Sequence, residues 1–528
     1  MEQILSLLSA SGLGPPLAED EANAAAATLQ SLLDAAVYPR SITAIDGALL
    51  FMARRGLDKL IGIVANDPTR LPLAAFDGQR RDLAESAPGL FALLCTPTLQ
   101  NAAALREALP FTAPHIVGLK TSAGCGDRLG ITTPGHVRAV RGTGITGVFA
   151  QQSIREMDRT QRSPQQVMDD ATLGVFQEGY RDGFGSDADH LKTTNDIDAC
   201  LAAGFTMFTI DPGAHVDNTA EHGDEAMLAE KFARLPWSLL ESSPADCNRT
   251  YVSQTFQVGQ ALKLQFTDET LLRAAVKYGG AIAHTVRLHR HLLARSGDKP
   301  FELEVSVDET DTPTSTAEHF FIASELRRLG VRWVSLAPRF VGEFEKGVDY
   351  IGGLSVFEAA FAEHAAIARE LGPYKISLHS GSDKFSVYPI IARHTNGLFH
   401  LKTAGTSYLE ALRVVALSAP GLFREILAFA VERYPDDRSS YHVSADAARV
   451  PDAAQLRDAQ LAGVLDEFDA REVLHVTYGS VLNARKDGGE FRFRDRLYLT
   501  LREHEETYYS AIAKHIGKHV TPFVRQAR

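Results

Sequence analysis

From about residue 115 onward, short apolar runs recur along the chain, each closed by polar or Gly-rich residues and followed by a stretch with helical spacing of apolar positions. The runs fall at residues 115–120, 147–151, 183–189, 205–211, 301–308, 331–337, 375–379 and 397–402. Eight strand candidates alternating with helical stretches predict an α/β fold and, more specifically, a (β/α)8 TIM barrel. Helical spacing is clearest at 316–329 and 354–371. An insertion at about 212–299 separates the fourth and fifth runs and contains a helical pattern at 271–294. Residues 1–110 are rich in Ala and Leu at helical spacing and predict a helical N-terminal cap. Residues 435–528 favour helix, with a Tyr/Arg-rich stretch at 491–509, and predict a C-terminal helical extension packed on the barrel or on another subunit. The catalytic barrel is then expected over 111–434.

Within these runs the polar residues are not scattered. In a barrel, alternate residues of each strand point inward and the active site lies at the C-terminal ends. In Phe301-Glu302-Leu303-Glu304-Val305-Ser306-Val307-Asp308 the alternation puts Glu302, Glu304, Ser306 and Asp308 inside. A half-exposed strand with a solvated polar face is the alternative, but neighbouring runs repeat the arrangement. Ser377 and His379 share one face, and His400 and Lys402 share one face. Buried carboxylates need a cation or a shared proton, so Glu, His and Lys turned inward together describe a polar barrel mouth. At the end of the third run, Asp189-His190 can supply a base and a metal ligand side by side. With His379 and an acidic residue, it makes an N/O metal site suited to Zn, Mn, Co, Ni or Fe rather than Ca.

Composition narrows the reading. With 528 residues, 45% of them hydrophobic, the chain can bury a large core. The net charge is -12 and no Lys/Arg run forms a phosphate-tracking stripe, so nucleic acid is not an expected partner. Cys95, Cys125, Cys200 and Cys247 form no CxxC pair, and no disulfide framework is expected. No apolar stretch reaches the ~18 residues of a membrane span, and the start lacks a signal-peptide pattern, so the expectation is a cytoplasmic protein without membrane contact. Gly142-Thr143-Gly144-Ile145-Thr146-Gly147 fits GxGxxG but precedes a strand, the reverse of a dinucleotide fingerprint, and no Walker A motif is present. A bound nicotinamide is therefore not expected.

Several segments resemble the tagaturonate epimerase family. They are Gly126-Asp127-Arg128-Leu129-Gly130 with Thr133-Pro134-Gly135-His136, Phe149 to Met157, Asp187 to Lys192, Ala337-Pro338-Arg339-Phe340, Phe344 to Tyr350, and His400-Leu401-Lys402-Thr403. A more distant likeness is to class II ketose-bisphosphate aldolases and their accessory subunits, through Asp189-His190, Glu302-Leu303-Glu304 and His379-Ser380-Gly381-Ser382. The resemblance implies a divalent metal, with Zn, Mn, Ni and Co the candidates, held by His190 and His379. The aldolase pattern adds a His at the sixth strand that this chain lacks; Glu343 is the expected substitute, with Glu304 and His400 as competitors.

The activity so implied interconverts tagaturonate and fructuronate, extending in some members to tagatose and fructose. These sugars differ at a carbinol carbon one bond beyond the position alpha to the ketone, so enolisation cannot invert it. Transient oxidation and retro-aldol cleavage remain, and the missing dinucleotide motif favours the second. Asp189 and Glu304 are the expected acid–base pair. Lys402, Lys120, Arg128 and Arg155 are candidates for the substrate carboxylate, and Thr403, Ser380, Asp383 and Gln151 for further sugar contacts. The expected partner is a small keto-sugar acid or ketose, with homo-oligomerisation left open. A class II aldolase, or a non-catalytic accessory subunit, is the alternative.

Overall fold

The structure is a computed structural model that describes residues 1–67, 75–83, 87, 89–260 and 262–524. Its centre is a closed barrel of eight parallel strands. The strands are Ser122–Cys125, Thr146–Ser153, Gly185–Leu191, Met207–Ile210, Glu302–Val307, Ser335–Pro338, Lys375–Leu378 and Phe399–Thr403. The eighth pairs with the first through His400 opposite Ser122 and Lys402 opposite Gly124, which closes the ring. Helices Thr316–Arg328 and Leu354–Leu371 follow the fifth and sixth strands, in line with the helical spacing of the sequence.

One strand is displaced from its expected place. The first barrel strand lies at 122–125, not at 115–120, because the earlier segment passes below the barrel floor. There the Glu302 carboxylate accepts the backbone N–H groups of Val117, at 2.9 Å, and Gly118, satisfying donors that a strand ladder would otherwise need.

The insertion after the fourth strand contains a helix at Pro244–Tyr251, a hairpin of Thr255–Val258 with Leu262–Gln265, and the long helix Asp268–Ser296. That last helix is buried along much of its length against the barrel, so it completes the fourth βα unit as well as ending the insertion.

The N-terminal region is not a helical cap. Six antiparallel strands form a sheet over residues 36–95, flanked by helices Glu19–Leu33 and Leu99–Ala108. In strand Ala48–Arg55, Leu49, Phe51 and Ala53 pack into one apolar core while Ala48, Leu50 and Met52 pack into another. With both faces covered, the run is continuously apolar and shows no period-two pattern.

The C-terminal extension is helical, as expected, but helix Pro420–Asp437 crosses its expected start at 435. Its last long helix, Glu505–Val520, packs on barrel helices Thr133–Val140 and Thr406–Ser418. Among the described residues, no helix is long and apolar enough to cross a membrane.

Candidate active site

The barrel interior is polar in tiers. At the floor, Lys375 donates to Ser122 at 3.0 Å and Ser122 bonds His400 Nδ1 at 2.9 Å. Burial lowers His400 to about 3, which leaves the ring neutral and low in the barrel, away from the mouth. One tier up, the Lys402 ammonium is 2.7 Å from Asp187, from Asp189 and from Glu304, and 2.8 Å from Thr209 Oγ1. Burial, reinforced by the neighbouring Asp189 and Glu304, raises Asp187 to about 6 although Lys402 opposes it.

Above this tier stand two imidazoles, 5.0 Å apart between ring centres. Strict alternation would turn Asp189 and His190 to opposite faces. Instead the ladder between the third and fourth strands shifts register at this point, and His190 adopts a φ of 53°. The irregularity brings both neighbours to the mouth, a recurrent use of local bulges near active sites. Ser380, just beyond the seventh strand, also takes a left-handed φ of 50°.

A carboxylate holds each ring from behind. Asp189 Oδ1 lies 2.8 Å from His190 Nδ1, and Glu304 Oε1 lies 2.6 Å from His379 Nε2. The nitrogens left over both face Asp308, whose Oδ1 is 3.8 Å from His190 Nε2 and 3.3 Å from His379 Nδ1. Burial depresses His190, but the Asp189 carboxylate, with Glu309 and Asp308, outweighs it and raises the ring to about 10. A divalent cation would relieve the same excess of negative charge. N/O ligands at about 2.0–2.2 Å from a metal stand roughly 3–3.5 Å apart, a range that the Asp308–His379 spacing meets and the Asp308–His190 spacing of 3.8 Å exceeds, and carboxylates behind the rings are the usual orienting partners. Asp189, His190 and His379 also offer ligand atoms within 4.8 Å of one another. The donor set fits a metal.

Beside His379 opens a cavity of about 290 Å³, bordered also by Arg155, Asp308, Glu309, Arg339, Lys346 and Ser380, with Tyr441 and His442 contributed by the C-terminal extension; Asp189 and His190 stand next to His379 but not on its wall. Of the residues expected from sequence, Asp189, Glu304, His190, His379, Lys402 and Gln151 are brought together. Gln151 donates to Asp189 Oδ2 at 3.3 Å, while Ser380 and Arg155 border the cavity. Glu304 itself is fully buried behind His379 and does not reach the cavity.

The other expected positions are corrected. Glu343 lies at the outer rim, 2.7 Å from His442 and 3.7 Å from Arg339, and is not part of the imidazole cluster. Lys120 precedes the first barrel strand and is exposed at the opposite end of the barrel. Arg128 is buried against the extension: it pairs with Glu156 at 2.9 Å, donates to the His475 carbonyl at 3.0 Å, and stacks on Tyr478. Thr403 donates to the Gly124 carbonyl at 2.8 Å, which serves barrel closure. Asp383 turns away to Arg471, at 2.6 Å, and to His515 and His519.

Sequence reasoning passed over Asp187, Thr209, Glu309 and Lys346, and gave Asp308 an inward position but no role. Asp187 shares strand parity with Asp189, the one signal that marked it. Glu309 and Lys346 sit on loops, where no periodicity points inward.

A closed (β/α)8 barrel with a carboxylate–imidazole cluster at the C-terminal ends of its strands is the arrangement of a barrel enzyme, by position and by chemistry. The chain belongs to the tagaturonate epimerase family (UxaE), a family of isomerases, whose model it matches over residues 38–523. It is 45% identical over 485 residues to the tagaturonate/fructuronate epimerase of Thermotoga maritima, covering 92% of this chain and 96% of that protein. Crystal structures of the fructuronate-tagaturonate epimerase UxaE from Cohnella laeviribosi, native and with one glycerol bound, superpose with a TM-score of 0.87 at 40% identity, covering 95% of this chain and 99% of theirs.

Proposed function

We propose that this chain is a divalent-metal-dependent epimerase that interconverts D-tagaturonate and D-fructuronate by retro-aldol cleavage and re-addition. The single observation that carries the metal is the pair of imidazoles, each backed by a carboxylate, whose other nitrogens both face Asp308. His190, His379 and Asp308 are the residues that would hold it, with Asp308 taking the place expected of Glu343. A cation bound there supplies Lewis-acid stabilisation of negative charge on the substrate's keto and neighbouring oxygens.

The protein's own groups do the rest. Asp189 accepts the proton of the hydroxyl on the inverting carbon, and the adjacent C–C bond breaks to leave an aldehyde and an enediolate fragment. Rotation of the aldehyde presents its other face; the C–C bond re-forms and the new alkoxide takes a proton back. Glu304, buried behind His379, orients that ring rather than carrying the proton. Glu309, which borders the cavity 3.8 Å from His190, is the carboxylate placed for the second proton transfer. Lys402 offsets the charge of Asp187, Asp189 and Glu304, so it is not free to bind a substrate carboxylate.

The test is to supply metal to the purified protein, incubate it with fructuronate, and separate the products by chromatography. Tagaturonate should form, EDTA should abolish it, and Asp189→Asn, assayed with metal in excess because His190 also loses its orienting carboxylate, should slow it about 100- to 10,000-fold. No turnover with metal present would sink the reading. Accumulating three-carbon fragments would point to an aldolase instead.

A further inference from the structure

A substrate carboxylate entering this cavity meets Asp308, Glu309, Asp311 and Glu343 on its walls, so it needs a cation not already paired with one of them. Arg155 is 3.1 Å from Glu309. Arg339 is 3.7 Å from Glu343 and gives its other arm to the Thr310 carbonyl. His442 is 2.7 Å from Glu343. Lys346 differs: its ammonium donates to Ser380 Oγ at 2.5 Å and, among the described residues, makes no ion pair with a carboxylate. An ammonium has three donors, so two stay available on the cavity side, one residue beyond His379.

The residues on both sides of Lys346 are tied to the C-terminal extension, Glu345 by its carboxylate and Gly347 by its backbone. Glu345 accepts from Ser444 N–H at 3.1 Å and from Ser444 Oγ at 2.8 Å. The Gly347 carbonyl accepts from Arg471 Nε at 2.6 Å. The lysine stem therefore rises from an anchored point, which reduces the ordering cost of binding through a long side chain.

We propose that Lys346 binds the substrate carboxylate and sets the preference of this site for a uronate over the neutral ketose. The proposal rests on the epimerase reading above and adds a residue to it. The test compares wild type, Lys346→Met and Lys346→Arg, all metal-supplied, on fructuronate and on fructose. Calorimetric binding of gluconate and of sorbitol gives a readout independent of turnover.

Lys346→Met should lower kcat/KM for fructuronate about 10- to 150-fold, the size of one charged hydrogen bond, mainly through KM. The fructuronate-to-fructose ratio should fall with it, gluconate should lose its advantage over sorbitol, and Lys346→Arg should recover part of both. Equal losses on the two sugars, an unchanged KM for fructuronate, or wild type binding gluconate no better than sorbitol would overturn the assignment and leave the epimerase reading standing. If wild type turns over neither sugar, that reading fails, and the gluconate result alone decides on Lys346.

Discussion

Arg128 and Lys402 are both buried cations close to the barrel's upper end, and what each touches separates structure from catalysis. Arg128 neutralises Glu156, which is itself buried, and lies over Tyr478. Removing the guanidinium leaves a carboxylate unpaired in an apolar setting, at a cost of about 3–5 kcal/mol. Arg128→Met should therefore shift the urea unfolding midpoint strongly while the KM of the folded enzyme stays near wild type; a selective rise in KM would contradict the assignment. Glu304→Gln tests the opposite case. The orienting partner of a metal-bound imidazole is worth about 10- to 100-fold in metal affinity, and chelator competition should show a loss of that size. At this scale the sequence was informative where strand parity applied, as for Glu304, His379 and Lys402. Parity alone could not place His190, which the Asp189-His190 pair and the resemblance named and a backbone irregularity re-aims, and nothing local told that Arg128, expected to contact substrate, has a partner as far away as the His475 carbonyl, at a separation of 347.

Among the elements, the segment at residues 441–446 joins the extension to the cavity wall. Its Ser444 and Ala445 N–H groups bind the Glu472 carboxylate at 3.2 and 2.9 Å, and Ser444 also binds Glu345. Burial, together with the hydrogen bond and charge of Glu345, raises Glu472 to about 8. A folded-state value above the ordinary carboxylate range means the protonated form is favoured by folding. Its contribution is complete below about pH 4.5 and is lost as pH rises through about 8. Melting temperatures recorded from pH 5 to 9 should show wild type losing stability across that window, and Glu472→Gln should flatten the loss. Identical pH profiles would mean the two carboxylates share no proton. The barrel strands were legible as elements because their inner faces are polar and their outer faces apolar. The N-terminal sheet was not, since Ala48 to Ala53 meet apolar cores on both sides and leave no alternation to read. Ser122–Cys125 was missed for another reason: Ser, Ala, Gly and Cys are small and carry little strand signal.

For the whole molecule, the extension is structural as well as a source of cavity residues. Glu505–Val520 covers two barrel helices, and Lys59 of the N-terminal sheet reaches Glu505 at 3.3 Å and Tyr509 at 2.8 Å in it, and Gln177 at 2.5 Å beside it. A chain ending at residue 434 would uncover this apolar surface. It should accumulate as insoluble material, and a soluble, helical truncation with a cooperative melt would show that the barrel stands alone.

The tier around Lys402 bears on how the barrel comes into being. Asp187, Asp189 and Glu304 are translated well before the lysine that neutralises them, with 213 positions separating Asp189 from Lys402. A partial barrel lacking its eighth strand would hold these three carboxylates without the ammonium that lies 2.7 Å from each, which disfavours its closing. The early strands thus gain nothing by closing prematurely, and the last strand carries the charge that lets the ring shut. Closing the ring and neutralising its centre are thereby one event, completed by the strand that carries Lys402.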